Sequence, residues 1–97
     1  MRCLDPVIGR VAISKAGRDK GRLLMVVKIL DEDFVLAADG DLRKLEKPKK
    51  KRIKHLRYTD FVVESIAVKI ENGEKVLNSE IRDAIREIEI MLKTRKE

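Results

Sequence analysis

The sequence predicts an α+β protein: a small antiparallel β-barrel of about five strands followed by C-terminal helices. Three observations carry that prediction. Five short strand-like segments, joined by connections of roughly two to six residues, crowd into about 50 residues, where a parallel sheet would need long crossovers. From Thr59 the hydrophobic pattern shifts toward helical spacing. The chain has 97 residues, the size of one domain, too small for a deep pocket between lobes.

Taken in order, Arg10 to Ser14 alternates, with Val11 and Ile13 on one face. Arg22 to Leu30 is apolar almost throughout, with Arg22 and Lys28 on the even face. Asp31 to Asp33 reads as a turn and "FVLAA", Phe34 to Ala38, as a third strand. Asp39-Gly40 is a hairpin signal, because glycine accepts the positive φ of a tight turn. A fourth strand is expected over Leu42 to Lys47, with Pro48 interrupting the pairing. Arg52 to Tyr58 then resumes as a short edge strand or 3₁₀ turn. Alternation places Val11, Ile13, Leu23, Met25, Val27, Ile29, Val35 and Ala37 in the barrel core.

Beyond residue 60 a helical extension is expected to pack on the barrel, so that 1–60 and 61–97 make one structural unit. Val62, Val63, Ile66, Ala67 and Ile70 fall at helical spacing, Thr59 or Asp60 can cap, and Asn72-Gly73 supplies a stop. The same "FVVESIAVKI" also alternates, which leaves a strand open. The last segment is an amphipathic helix: Asn78 can cap it, Glu80 and Asp83 suit its positive end, and Ile81, Ile85, Ile88 and Leu92 form one stripe.

Charge narrows the function. With 23 Lys and Arg against 17 Asp and Glu the net charge is +6 and the pI about 9.6, so a polyanion is the default partner and nucleic acid its first candidate. The surplus is confined to the first half: residues 1–60 carry 16 bases and 9 acids, residues 61–97 carry 7 and 8. Arg43 to Arg57 alone holds nine bases and one acid, Glu46. Cys3 is the only cysteine, which leaves no internal disulfide and fits a reducing compartment. No apolar run has the length of a signal peptide or a membrane span, so the expected address is the cytoplasm.

Catalytic and metal chemistry find no foothold. His55 is the only histidine, and with one distant cysteine it completes neither a zinc set nor a nucleophile-base pair. No P-loop occurs, and no enzyme, cofactor or metal is expected. Phe34, Tyr58 and Phe61 are too few for a base-stacking platform; Phe34 is assigned to the core and Tyr58 to a structural role.

What remains is the stretch "SKAGRDKGR" between the first two strands. Glycines at 17 and 21 let backbone approach a ligand closely, and Lys15, Arg18 and Lys20 supply charge for following a phosphate backbone. The plainer reading is a hairpin closed by glycines with solvated charges.

Gly9 to Leu36 resembles the KOW motif of ribosomal proteins and transcription elongation factors: a strand, a loop with Gly17 and Lys20-Gly21, then a long apolar strand. The particular form is similar to the large-subunit ribosomal protein family fourteen-e of archaea and eukaryotes, and to small bacterial KOW proteins. "GRVA" at Gly9 to Ala12, the acidic turn before "FVL" at Phe34 to Leu36, and "IKHLRYTD" at Ile53 to Asp60 occur in the order that family shows. Leu24 stands where many KOW sequences have a further glycine, which favours the ribosomal branch.

The resemblance spans residues 7–60 and implies an SH3-like barrel that binds structured ribosomal RNA. The candidate RNA contacts are Arg10, Lys15, Gly17, Arg18, Lys20, Gly21, Arg43, Lys44, Lys47, Lys49, Lys50, Lys51, Arg52, Lys54, His55 and Arg57. The run after Pro48 is expected to face solvent. The chain is expected to act as a monomer on the ribosome, with no membrane partner. The competing reading is a protein-interaction adapter using the barrel edge or the Ile81 to Leu92 stripe, and burial of that stripe would remove its surface.

Overall fold

The computed structural model describes residues 5–94; Cys3 lies outside the described residues. Strands β1 (Arg10–Ser14), β2 (Leu23–Ile29), β3 (Phe34–Ala38), β4 (Lys49–Arg52) and β5 (Leu56–Val62) form one antiparallel sheet in the order β4-β3-β2-β1-β5. A 3₁₀ turn, Ile53–His55, carries the chain from one outer strand to the other, and the sheet curls into the expected small barrel. Register shifts between Val26 and Lys28 and between Arg10 and Ala12 assist the bend, since an extra residue kinks its strand.

The apolar run of β2 is explained by burial on both faces. Leu24 and Val26 point inward with Ala12, Val35, Ala37 and Leu56, forming the barrel interior. Met25 and Val27 point outward with Val11 and Ala38 and are covered by helices. The expected single core therefore mixes two: Val11, Leu23, Met25 and Val27 face the helices, while Val35 and Ala37 face the barrel. Leu24, Val26 and Ala12, fully buried, are the interior residues that alternation passed over. Ile29, past the register shift, is 44 % exposed and belongs to neither core.

Helix α1 (Glu64–Glu71) begins only after β5 has run through Val62, so Thr59 serves the strand: its hydroxyl donates to the Val11 carbonyl at 2.7 Å. Helix α2 (Asn78–Thr94) buries Ile81, Ile85 and Ile88 against the sheet, with Leu92 half-buried. Its start departs from the expected cap. Glu80 accepts the Leu77 amide at 3.1 Å, half of a capping box, which leaves Asn78 for another task. Asn78 Oδ1 accepts the Leu45 amide at 2.7 Å and its Nδ2 donates to Glu46 at 2.9 Å.

That contact belongs to the largest correction. Leu42 to Lys47 is no strand; it forms bends and a turn, and the fourth strand is the basic run itself. Asp39 organises the connection, its Oδ1 accepting the amides of Asp41 and Arg43 at 2.9 and 2.8 Å. Asp39-Gly40 thus opens a long loop instead of closing a tight hairpin. A Cβ on Gly40 would strike the Asn78 carbonyl and the Arg82 amide, so this loop lies directly against the first turn of α2.

Candidate nucleic-acid interface

Four cations in a row make an improbable strand by propensity, and pairing with β3 explains why β4 forms. Lys49, Lys50, Lys51 and Arg52 stand opposite Ala37, Leu36, Val35 and Phe34. Partners across a ladder share a face, so the run alternates in role. Lys50 and Arg52 lie over the Phe34 ring, their cationic groups 4.5 and 4.9 Å from its centroid. Phe34 is accordingly a half-buried support for two cations, not the core residue expected.

Lys51 departs furthest from a solvated run. It stands on the interior side of the strand at 6 % exposure, and its ammonium donates to the Ala16 carbonyl at 2.9 Å. Burial lowers its pKa from the ordinary lysine value, with the attraction of Asp19 acting in the opposite sense. Gly17, at φ 80°, crosses above: a Cβ there would lie 3.8 Å from the same ammonium.

Lys51 thereby joins the two regions that the sequence marked separately. The loop between β1 and β2 packs on β4, and the Lys15 amide donates to the His55 carbonyl at 2.8 Å, adding the 3₁₀ turn. Lys15, Arg18, Lys20 and Gly21 are exposed on the loop, Lys49 on β4 and Lys54 on the turn, with His55 half-buried beside it. The loop's single acid, Asp19, is turned inward at 3 % exposure and held by Arg43, with Nε to Oδ1 at 3.2 Å and Nη2 to Oδ2 at 3.1 Å.

Several candidates are engaged elsewhere. Arg10 is half-buried and donates to the Thr59 carbonyl at 2.7 Å. Arg43 is committed to Asp19. Lys44 and Lys47 are exposed on the irregular connection, and Arg57 is exposed on β5 opposite Ile13. Tyr58 is held in place, its hydroxyl donating to the Ile53 carbonyl at 3.3 Å and its pKa raised by burial. Asp19 is the functional neighbour that the sequence reading missed; one acid among the cations of a glycine-bearing loop was its only signal.

Among the described residues no group of His, Cys, Asp or Glu side chains is placed to hold a metal ion, and no helix is long and apolar enough to cross a membrane. No family model matches the chain. Individual relatives do. The large ribosomal subunit protein eL14 of Desulfurococcus amylolyticus is 37 % identical over 75 residues, covering 74 % of this chain and 73 % of that protein. A putative ribosome-binding protein of Bacillus subtilis, YbzG, is 39 % identical over 72 residues, 74 % of this chain and 97 % of the relative. The eL14 of Staphylothermus marinus is 35 % identical over 57 residues, 59 % of each chain.

A five-stranded barrel with a cationic first hairpin is the class of protein that the KOW resemblance implied. The chain belongs to the eL14-like family.

Proposed function

We propose that this protein binds structured ribosomal RNA as a component or accessory factor of the ribosome, working in the cytoplasm as a monomer and without catalysing a reaction. The exposed cations of the loop, of β4 and of the 3₁₀ turn are its phosphate contacts, with barrel and helices acting as one unit. One observation carries the reading: Lys51 ties the loop to the basic strand, so cations distant in sequence share one surface while the loop's acid is buried. Such a surface suits a folded polyanion, whose phosphates hold several cations at once. Kinship with eL14 and with a putative ribosome-binding protein supports the ribosome as the setting.

The adapter reading loses its main surface, because Ile81, Ile85 and Ile88 are spent on the sheet at 0, 9 and 4 % exposure. Crosslinking in cells followed by sequencing of the bound RNA tests the proposal. Reads concentrated on one element of ribosomal RNA are expected; recovery of proteins with no ribosomal RNA would overturn it.

A further inference from the structure

The loop between β1 and β2 contains an apparent contradiction. A segment suited to meeting phosphate carries Asp19, and burying a carboxylate is costly unless it is paired. Here it is paired, and the pairing consumes a cation that would otherwise add to the surface. Arg43 reaches Asp19 from the connection after β3 with two contacts of 3.2 and 3.1 Å. Lys51 reaches the neighbouring Ala16 carbonyl from β4 at 2.9 Å, where the Ser14 hydroxyl also donates at 3.0 Å. The loop backbone closes over these groups through Gly21 N to Ser14 O at 2.8 Å and Arg22 N to Asp19 O at 2.8 Å.

We propose that Asp19, Arg43 and Lys51 are positioning residues, a buried ionic network that presents the β1–β2 loop to RNA without touching phosphate. This rests on the RNA-binding reading above. The two buried or half-buried cations differ in kind from Lys15, Arg18 and Lys20: they fix where those three stand, and the negative charge of Asp19 is required for that. Preorganised contacts lose less entropy on binding, so slackening the loop weakens recognition of a folded RNA even when no contact is deleted.

The sign of one substitution separates positioning from simple charge. Asp19→Asn makes the protein more positive, and a surface acting only through its potential would bind RNA equally or more tightly. The network predicts the reverse, a loss of about tenfold for folded ribosomal RNA at about 0.15 M salt, since the ion pair with Arg43 is lost and its hydrogen bond to the side chain is no longer charge-assisted. Lys51→Met, which keeps the apolar stem, should cost a similar factor while leaving the slope of log affinity against log salt nearly intact, whereas Lys20→Ala should lower that slope by roughly 0.9.

Amide exchange supplies a readout without RNA: the Gly21 amide should exchange faster in Lys51→Met, with the cooperative melt retained. Tighter or unchanged binding by a folded Asp19→Asn overturns the network. If that variant fails to fold, Lys51→Met decides alone, and a slope reduced by a full unit or an unchanged Gly21 exchange rate overturns it. Should the wild-type protein not bind ribosomal RNA, the functional reading fails, and the exchange measurement still judges the tether.

Discussion

Strand β4 and helix α2 are both rich in charge, and they use it in opposite ways. Lys49 to Arg52 is four cations with no acid among them, and apart from Lys51 they face outward. Along α2, bases and acids interleave: Arg82 lies 4.0 Å from Asp83, Lys93 lies 3.9 Å from Glu89, and Asn78–Thr94 holds three bases against four acids. The helix cancels its own field and spends its apolar side on the sheet; the strand leaves its field uncancelled. Density of charge does not mark a surface for a polyanion. Local imbalance does, when the fold holds it in place.

The sharpest way to break this contrast is to reverse charge in each region and compare RNA binding. Lys49, Lys50 and Arg52 changed together to Glu should weaken binding to ribosomal RNA by at least about a hundredfold, because phosphate contacts become repulsions. Lys51 is left in place because it is buried. The matching set on α2, Arg82, Arg86 and Lys93 to Glu, should change affinity far less. Equal losses in a filter-binding titration would show that only net charge matters.

Stability should divide the other way. Ile81→Ala on α2, at a site with no exposure, is expected to cost about 2–5 kcal/mol in chemical denaturation, as buried large-to-small changes do. The residual folded protein should keep its salt slope. A smaller loss in RNA affinity is expected from Lys15, Arg18 and Lys20 to Ala, with the preference for structured over single-stranded RNA reduced because the loop loses its charge. An unchanged preference would move recognition entirely to β4.

The smallest effect lies where the two regions meet. Burial would raise the pKa of Asp39, but the amides of Arg43 and Asp41 and the Arg22 side chain at 3.0 Å outweigh it and hold the carboxyl below its ordinary value of 3.8. A depressed carboxyl stabilises the fold fully above its unfolded value, and that stability is lost as pH falls through the lower folded value. Asp39→Asn should therefore flatten the acid limb of a stability-against-pH curve, and an unaltered limb would show that the carboxylate adds nothing to the connection.

Much of this arrangement could be read from the chain. The strands β1 to β3 and the isoleucine stripe follow from local pattern, whereas the change to helical period comes at Glu64, after β5 has continued through Thr59 to Val62. β2 was harder: Leu24 and Met25 are both fully buried, and alternation cannot assign faces when both are covered. Leu42 to Lys47 reads as a strand because it follows the hairpin signal Asp39-Gly40, yet Asn78, far along the sequence, takes the Leu45 amide and holds a turn there. Among the candidate contacts, the exposed loop cations were legible from composition. That Arg43 and Lys51 turn inward was not, since it depends on Asp19 and Ala16 arriving from another part of the fold.

Among the described residues strand β4 is also an outer strand, with one side of its backbone left unpaired in the sheet. Such an edge is an open invitation to another strand, and fibrous aggregates begin from invitations of this sort. A second copy approaching edge to edge would set its own Lys49 to Arg52 beside this one, in either direction, and like charges directly opposite repel. A cluster suited to attract a nucleic acid thus also turns away the protein's own kind, and it does so most effectively before any RNA has arrived to neutralise it.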